Sequence, residues 1–234
     1  MKLRWFAGLG IVIAFCACQI GAQETPALKD QKDKVSYSIG MEIGKNLKKG
    51  PFEVNQDFLL KGIKDAFSGE KPLMTDQEIT EVMTAFQKEI MAKQQEMQKK
   101  LGEKNKAEGE AFLAENKKKE GVKTLPSGLQ YKVIKAGAGK KPKATDTVTV
   151  QYRGSLVNGT EFDSSYKRGT PATFPVTGVI PGWTEVLQLM EVGAKWEVVI
   201  PSNLAYGERS AGAQIGPNST LIFEVELISV QEAK

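Results

Sequence analysis

Residues 176–193, VTGVIPGWTEVLQLMEVG, set Pro181, Gly182 and Trp183 directly after the β-branched pair Val179-Ile180 and ahead of a helical run. The chain has only three tryptophans, and one of them directly follows a turn. There is no histidine, and the two cysteines, Cys16 and Cys18, both lie near the start. His-based triads, imidazole general bases and nearly every transition-metal site are thereby excluded. No metal and no cofactor are expected.

At 234 residues the chain suits one large domain or two small ones. A hydrophobic fraction of 41% and a mean hydropathy of -0.30 describe a protein with a real core. The net charge of +4 is dispersed: residues 23–120 carry 18 basic and 18 acidic side chains. No segment concentrates the positive field that nucleic acid requires, so no nucleic-acid role is expected.

The first residues read as a leader. Lys2 and Arg4 precede an apolar run from Trp5 to about Cys18, then small residues at Gly21 and Ala22, then polar chain. That is the three-part pattern of a secretory signal over residues 1–22, too short for a membrane span. Cleavage after Ala22 releases a soluble protein, and the periplasm is the expected compartment. Cleavage before Cys18 leaves a cysteine for lipid; Phe15-Cys16-Ala17-Cys18 loosely resembles a lipobox, departing at Phe15, and an outer-membrane lipoprotein stays open. With both cysteines in this segment, the mature chain has no disulfide framework.

The remaining elements must position Trp183 and its neighbours. Val35, Ile39, Ile43 and Leu47 form one helical stripe ending at Gly50-Pro51, and Phe58, Leu59, Ile63 and Phe67 a second ending at Gly69. Gly40 and Gly44, four apart, suit a close helix crossing or are chance small residues. Thr75 with Glu78 reads as a capping box opening a helix of about 45 residues, with Gly121 as its stop. Ile79, Met83, Phe86, Ile90, Met97 and Leu101 line one side of its first half; beyond Leu101 lies an alternating-charge stretch interrupted by Gly102 and Gly109. Two short helices cannot cover that stripe, so self-association is expected, the alternative being a helix that bends near Gly102 and folds back. After Gly121 the period changes to short strands, LQYKVIKAG, TVTVQYRGSLV, EFDSS, ATFPV, KWEVVIPS and STLIFEVELISV, with one helical run from Thr184 to Met190. Asn158-Gly159 predicts a hairpin with two positive-φ positions. The fold class is α+β, with a C-terminal antiparallel sheet wrapped on one short helix.

Four segments in order, VTVQYRGSLVNGTEFDSSYKRGTPATFPV, GVIPGWTEVLQLMEVG, IPSNLAYGERSAG and STLIFEVELI, closely resemble the FKBP-type peptidyl-prolyl cis-trans isomerases over about residues 121–230. The helical first half resembles the dimerising region of the exported bacterial branch called macrophage infectivity potentiators. Together these imply a leader (1–22), a helical dimerisation domain (23–75), a long connecting helix (76–120) and an isomerase domain (121–234), with a homodimer formed through residues 30–101. The resemblance implies that Trp183 floors an active pocket with Tyr152, Phe162, Asp163, Phe174, Val179, Ile180, Tyr206, Ile215 and Phe223 around a single cavity, and that Arg168 pairs with Asp163. Asp163, Tyr206 and the Ile180 backbone N–H carry the catalytic roles it implies, and the others bind substrate. The implied partners are proline-containing polypeptides being folded outside the cytoplasm, with macrolide inhibitors as further ligands of the pocket. Ala172 and the loop ERSAGAQIGPNST depart from the commoner pattern and put substrate preference in doubt, the former predicting a more open rim. The alternative function is a holdase chaperone that cradles unfolded chains between two arms, with isomerase activity secondary.

Overall fold

The structure, a computed structural model, describes residues 27–233; the leader expected over residues 1–22, with Cys16 and Cys18, lies outside the described residues. Two compact units divide between Glu70 and Lys71.

In the first unit, α1 (Gln31–Lys49) and α2 (Gln56–Ser68) take up the two apolar stripes. Each begins on a side chain that accepts from an otherwise orphaned backbone donor: Asp30 from the Asp33 N–H at 2.8 Å, Asn55 from the Asp57 N–H at 3.0 Å. Gly69, at φ 68°, closes α2 in the left-handed conformation that a Cβ disfavours. No residue of α1 is buried, and Ile39 and Phe58 remain 56% and 66% exposed. Of the two stripes only Leu47 and Leu59 are half-buried, so most of the apolar face that patterns these helices is left uncovered within the unit.

The second unit opens with α3 (Asp76–Asn116), whose first turn is fixed by the expected capping box: the Glu78 N–H donates to Thr75 Oγ1 at 3.2 Å, and the Thr75 N–H to the Glu78 carboxylate at 2.7 Å. The helix runs unbroken through Gly102 and Gly109, about 60 Å long at 1.5 Å per residue. Its second half, in sequence a charged stretch with little apolar surface, packs on the sheet. A Cβ on Gly102 would stand 3.4 Å from the Pro217 ring, and one on Gly109 would collide with the Thr220 hydroxyl. The Asn116 side chain donates to Gln130 at 2.9 Å, and Gln130 donates to the Leu113 carbonyl at 2.9 Å. Close backbone approach and amide pairing make the contact, so hydropathy carries no sign of it. The helix ends at Asn116, ahead of the Gly121 expected to stop it.

Seven strands follow: β1 (Val122–Thr124), β2 (Gln130–Lys135), β3 (Thr147–Leu156), β4 (Glu161–Ser164), β5 (Ala172–Pro175), β6 (Lys195–Ile200) and β7 (Leu221–Gln231). The order is β1-β2-β6-β7-β3-β4, with β5 also on β3, and every pairing is antiparallel. Only β1 has no counterpart in the expected strand pattern. Two short helices complete the unit: α4 (Ser165–Arg168) after β4, and α5 (Pro181–Leu187). The latter starts earlier than its apolar pattern predicts because Pro181 occupies the first helical position, where its missing N–H costs nothing. The core lies between α5 and the concave face of the sheet, where Val186 and Leu187 meet Val198, Ile200, Val225 and Leu227, all essentially inaccessible. Alternation along β7 (Leu221, Phe223, Val225, Leu227 inward) produces that face.

The Asn158-Gly159 hairpin forms between β3 and β4, but with one positive-φ residue instead of two. Gly159 (φ 85°) takes the left-handed position after a turn closed by its own N–H to the Leu156 carbonyl at 2.9 Å, while the Asn158 side chain accepts from Thr160 N–H at 3.0 Å. The extra residue shifts the β3–β4 register between Gly154 and Ser155, a bulge of the kind that follows such turns.

The glycine contact of α3 can be tested directly. Gly109→Ala gains about 1 kcal/mol of helix propensity but forces a methyl against Thr220, a stiff β-branched side chain. A net loss of about 1–2 kcal/mol is expected by chemical denaturation, with Gly109→Ala/Thr220→Ala recovering most of it; a Gly109→Ala variant as stable as the parent contradicts this packing.

Candidate active site

Where the start of α5 meets β3, β4, β5 and β7, the second unit opens into a cavity of about 470 Å³ lined by Tyr152, Phe162, Asp163, Phe174, Gly178, Val179, Ile180, Trp183, Tyr206 and Phe223. That size suits a short peptide segment. Of the expected residues only Arg168 and Ile215 lie outside this wall. The groove between α1 and α2 is larger, about 580 Å³, but its polar side chains are Lys48 and Gln56 and no titratable cluster converges there.

The floor is built from the turn upward. Gly182 lets the first turn of α5 approach β6, since a Cβ there would stand 2.5 Å from Ile200 Cγ2. The Thr184 hydroxyl donates to the Val176 carbonyl at 2.8 Å and ties the helix to the preceding turn. Trp183 is thereby directed under the cavity, 3% exposed, with one ring from each of three strands edge-on to it: Tyr152 of β3 at 5.1 Å, Phe174 of β5 at 6.0 Å and Phe223 of β7 at 5.2 Å between centroids, all near perpendicular. Such pairs contribute about 0.5–1.5 kcal/mol each beyond area burial. The indole Nε1 is buried without an acceptor among the described residues, so ring packing alone holds it.

Two supporting residues were not anticipated. Gly154, opposite Phe223 in the β3–β7 ladder, leaves room for Phe162 and Phe223 to meet edge to face at 5.6 Å; a Cβ on it would stand 2.7 Å from both rings. A glycine inside a strand is the available signal for such an approach. Ser165, fully buried at the start of α4, accepts from the Tyr152 N–H at 2.8 Å and bonds the Gln151 side chain, fixing the strand where Tyr152 projects.

One polar cluster interrupts the rings. The Tyr152 hydroxyl donates to Asp163, Arg168 forms an ion pair with the same carboxylate and donates from Nη2 to the Tyr152 oxygen at 2.8 Å, and the guanidinium lies 5.4 Å over the Tyr152 ring. Burial by itself raises the Asp163 carboxyl, but the Tyr152 hydroxyl and the Arg168 guanidinium outweigh it and hold the group below the ordinary carboxylate range. Tyr152 is raised, first by burial and then by the carboxylate that accepts its proton. At neutral pH the cluster therefore holds an ionised Asp163 paired with the Arg168 guanidinium.

Two donors face the cavity unused. Neither the Ile180 backbone N–H, at the N-cap of α5, nor the hydroxyl of Tyr206, a residue 42% exposed, has a protein partner among the described residues.

Ile215 is expected at the cavity and lines space that borders it. It is 8% exposed and lines a neighbouring recess of about 370 Å³ that shares Phe162, Asp163 and Tyr206 with the main one and continues over Ala211, Gly212, Ala213 and Gln214. Its Cβ faces the core because Ile215 pairs with Ala211 in an isolated bridge that turns this loop back on itself. Ala172 packs against the core opposite Val150 and lines neither space.

Comparison with known proteins agrees with this geometry. Residues 138–228 match the family described as FKBP-type peptidyl-prolyl cis-trans isomerase, and residues 32–133 the domain amino terminal to it. The chain is 51% identical over its whole length to the outer membrane protein MIP of Legionella longbeachae, covering 99% of that protein. It is 47% identical to the peptidyl-prolyl cis-trans isomerase Mip of Coxiella burnetii, over 90% of this chain and 92% of that one. Among solved structures, FkpA from Escherichia coli superposes with a TM-score of 0.70 at 40% identity, covering 89% of this chain and all of that one. Family, fold and sequence thus converge on both halves of the molecule, and the chain belongs to the FKBP-type peptidyl-prolyl cis-trans isomerases, enzymes that act on proline-containing polypeptides.

Proposed function

We propose that X-Pro bonds are rotated in the 470 Å³ cavity over Trp183, without a covalent intermediate, and that the reaction serves the folding of exported proteins. The observation that carries the reading is the pair of unused donors, Ile180 N–H and Tyr206 hydroxyl, facing a ring-lined space with one anion in its wall.

The barrier to rotation is about 18–20 kcal/mol because resonance makes the C–N bond partly double. The planar amide is more charge-separated than the twisted one. Removing both from water therefore penalises the ground state more, and aromatic walls provide that transfer. The Ile180 N–H holds a carbonyl of the substrate, the Tyr206 hydroxyl a second, and Asp163 polarises the twisted group while Arg168 keeps it ionised. Phe162, Phe174, Val179 and Phe223 grip the proline ring, and macrolides would compete for the same walls.

The compartment is the periplasm, reached through the leader over residues 1–22, with outer-membrane attachment through Cys18 the variant to be distinguished. A homodimer forms through residues 30–101; the uncovered apolar faces of α1 and α2, Phe67 at 90% exposure among them, support it. The same faces favour a second reading, in which holding unfolded clients is the larger part of the work and isomerisation is secondary.

Asp163→Ala and Tyr206→Phe are each expected to lower kcat/KM on a proline tetrapeptide about tenfold, the effect of losing roughly one good hydrogen bond in the transition state, with the denaturation midpoint little changed in Tyr206→Phe and lowered in Asp163→Ala, which also loses its bonds to Tyr152 and Arg168. Full turnover in both variants would remove the assigned roles.

Activity should be level from about pH 5 to 9, since no histidine is present and Asp163 titrates below the ordinary carboxylate value. Because its folded-state pKa is lowered, its contribution to stability is complete above the ordinary value and disappears as pH falls through the folded one. A sigmoid centred near neutrality in the pH–rate profile is the contrary result.

A chain beginning at Lys71 retains the second compact unit. Tetrapeptide isomerisation is expected to persist in it, while sedimentation changes from dimer to monomer and suppression of client aggregation is lost. Undiminished aggregation control by this shortened chain defeats the second reading.

A further inference from the structure

The second half of α3 does more than rest on the sheet. Five residues of the helix, Gln98, Leu101, Gly102, Asn105 and Gly109, meet the loop 207–220, which begins directly after Tyr206 and carries Ile215. Asn105 Nδ2 donates to the Pro217 carbonyl at 2.8 Å and reaches the Ser219 hydroxyl at 3.4 Å. Leu101 and Asn105 crowd Gly216, where a Cβ would stand 3.1 Å and 2.9 Å from their side chains. The Gly102 carbonyl accepts from Asn218 Nδ2 at 3.5 Å, and the Ser210 hydroxyl donates to Gln98 at 3.3 Å.

From there the contact passes to the cavity in two steps. The Asn218 N–H donates to the Gly207 carbonyl at 2.7 Å, joining the braced end of the loop to the residue beside Tyr206. Asn218 does so at φ 56°, a left-handed conformation that asparagine tolerates but which still needs its surroundings to hold it. Between these points Ala211 and Ile215 exchange backbone hydrogen bonds at 2.8 and 3.3 Å, and Gly212, Ala213 and Gln214 lie exposed. A tip with so little burial of its own takes its shape from its anchors.

We propose that Asn105, with Gln98 as an outlying support, is a positioning residue for the isomerase site: it sets the loop that holds Tyr206 and forms the 370 Å³ recess, and this recess receives the side chain preceding proline. The inference rests on the cavity over Trp183 being the catalytic site. A substrate strand entering that cavity across Phe162, Asp163 and Tyr206 must cross the recess that shares them. Selectivity for its neighbouring side chain is then controlled from the connecting helix, outside the isomerase domain's own motifs.

The full chain carrying Asn105→Ala or Asn105→Asp, the latter keeping shape while removing the donor, is assayed on tetrapeptides with Ala or Leu before proline. A roughly threefold to tenfold loss in kcat/KM is expected, seated in KM, larger for Leu, so that the Leu/Ala ratio falls. Amide exchange at Ala211 and Ile215 should quicken while the global denaturation midpoint holds. Unchanged KM, ratio and exchange, alongside a Tyr206→Phe variant that does lose activity, overturns the proposal and leaves the cavity reading intact. Full turnover in both Tyr206→Phe and Asp163→Ala instead overturns the cavity reading, and the selectivity role of Asn105 falls with it. Should neither Asn105 variant fold, Gln98→Ala, which loses the Ser210 bond alone, is measured in the same way: a lower Leu/Ala ratio with quicker exchange supports the proposal, and no change in either overturns it.

Discussion

Everything in the isomerase unit is organised around an indole that three rings meet edge-on. Tyr152, Phe174 and Phe223 come from β3, β5 and β7, and Trp183 from α5, so the floor of the cavity exists only when the sheet has curled about the helix and all four elements are in register. Edge-to-face packing also explains how an almost wholly buried tryptophan can floor a cavity: the surrounding rings stand up as walls, and the space lies between them. The absence of an acceptor for the indole Nε1 is consistent with that, since a hydrogen bond would have to enter through one of the packed ring edges.

The two tyrosines of the cavity show how hydrogen bonding divides labour between identical side chains. The Tyr152 proton is committed to Asp163, its oxygen is capped by Arg168 and its backbone N–H is taken by Ser165, so nothing remains for a ligand. Its part is to keep the carboxylate anionic and the wall rigid. Tyr206, half exposed with a free hydroxyl, is the one able to change partners. An anion in an apolar wall would ordinarily be neutralised by burial; here the opposing guanidinium and phenol win, and the Asp163 carboxyl stays below the ordinary carboxylate range.

What was legible in the sequence follows from the kind of signal each element carries. Helices α1 and α2 were readable because stripes, caps and stop glycines coincide there. The strands were readable from alternation, and nine wall residues from motif resemblance. Asn158-Gly159 disclosed a hairpin but not its turn, since the same dipeptide serves a two-residue loop and a bulged one. The motif that holds Ile215 gave its order along the chain but not the backward turn at Ala211 that seats it beside the main cavity. Ser165 and Gly154 act through a hydroxyl and through an absent Cβ, which no hydropathy pattern registers.

The same reason explains α3, the element whose packing is least visible in sequence, and shows how its two halves differ. Ile79, Met83 and Met97 in the first half are each 43–51% exposed, an apolar stripe of the type that forms helix–helix seams. Gly102, Asn105, Gly109 and Asn116 in the second half form an interface with hardly any apolar area, joined by short approach and amide hydrogen bonds. An apolar stripe continued past Leu101 would have competed for the same seam and left the loop 207–220 unbraced. With its composition changing near Gly102, one continuous helix carries an exposed apolar stripe at one end and hydrogen bonds to the loop 207–220 at the other.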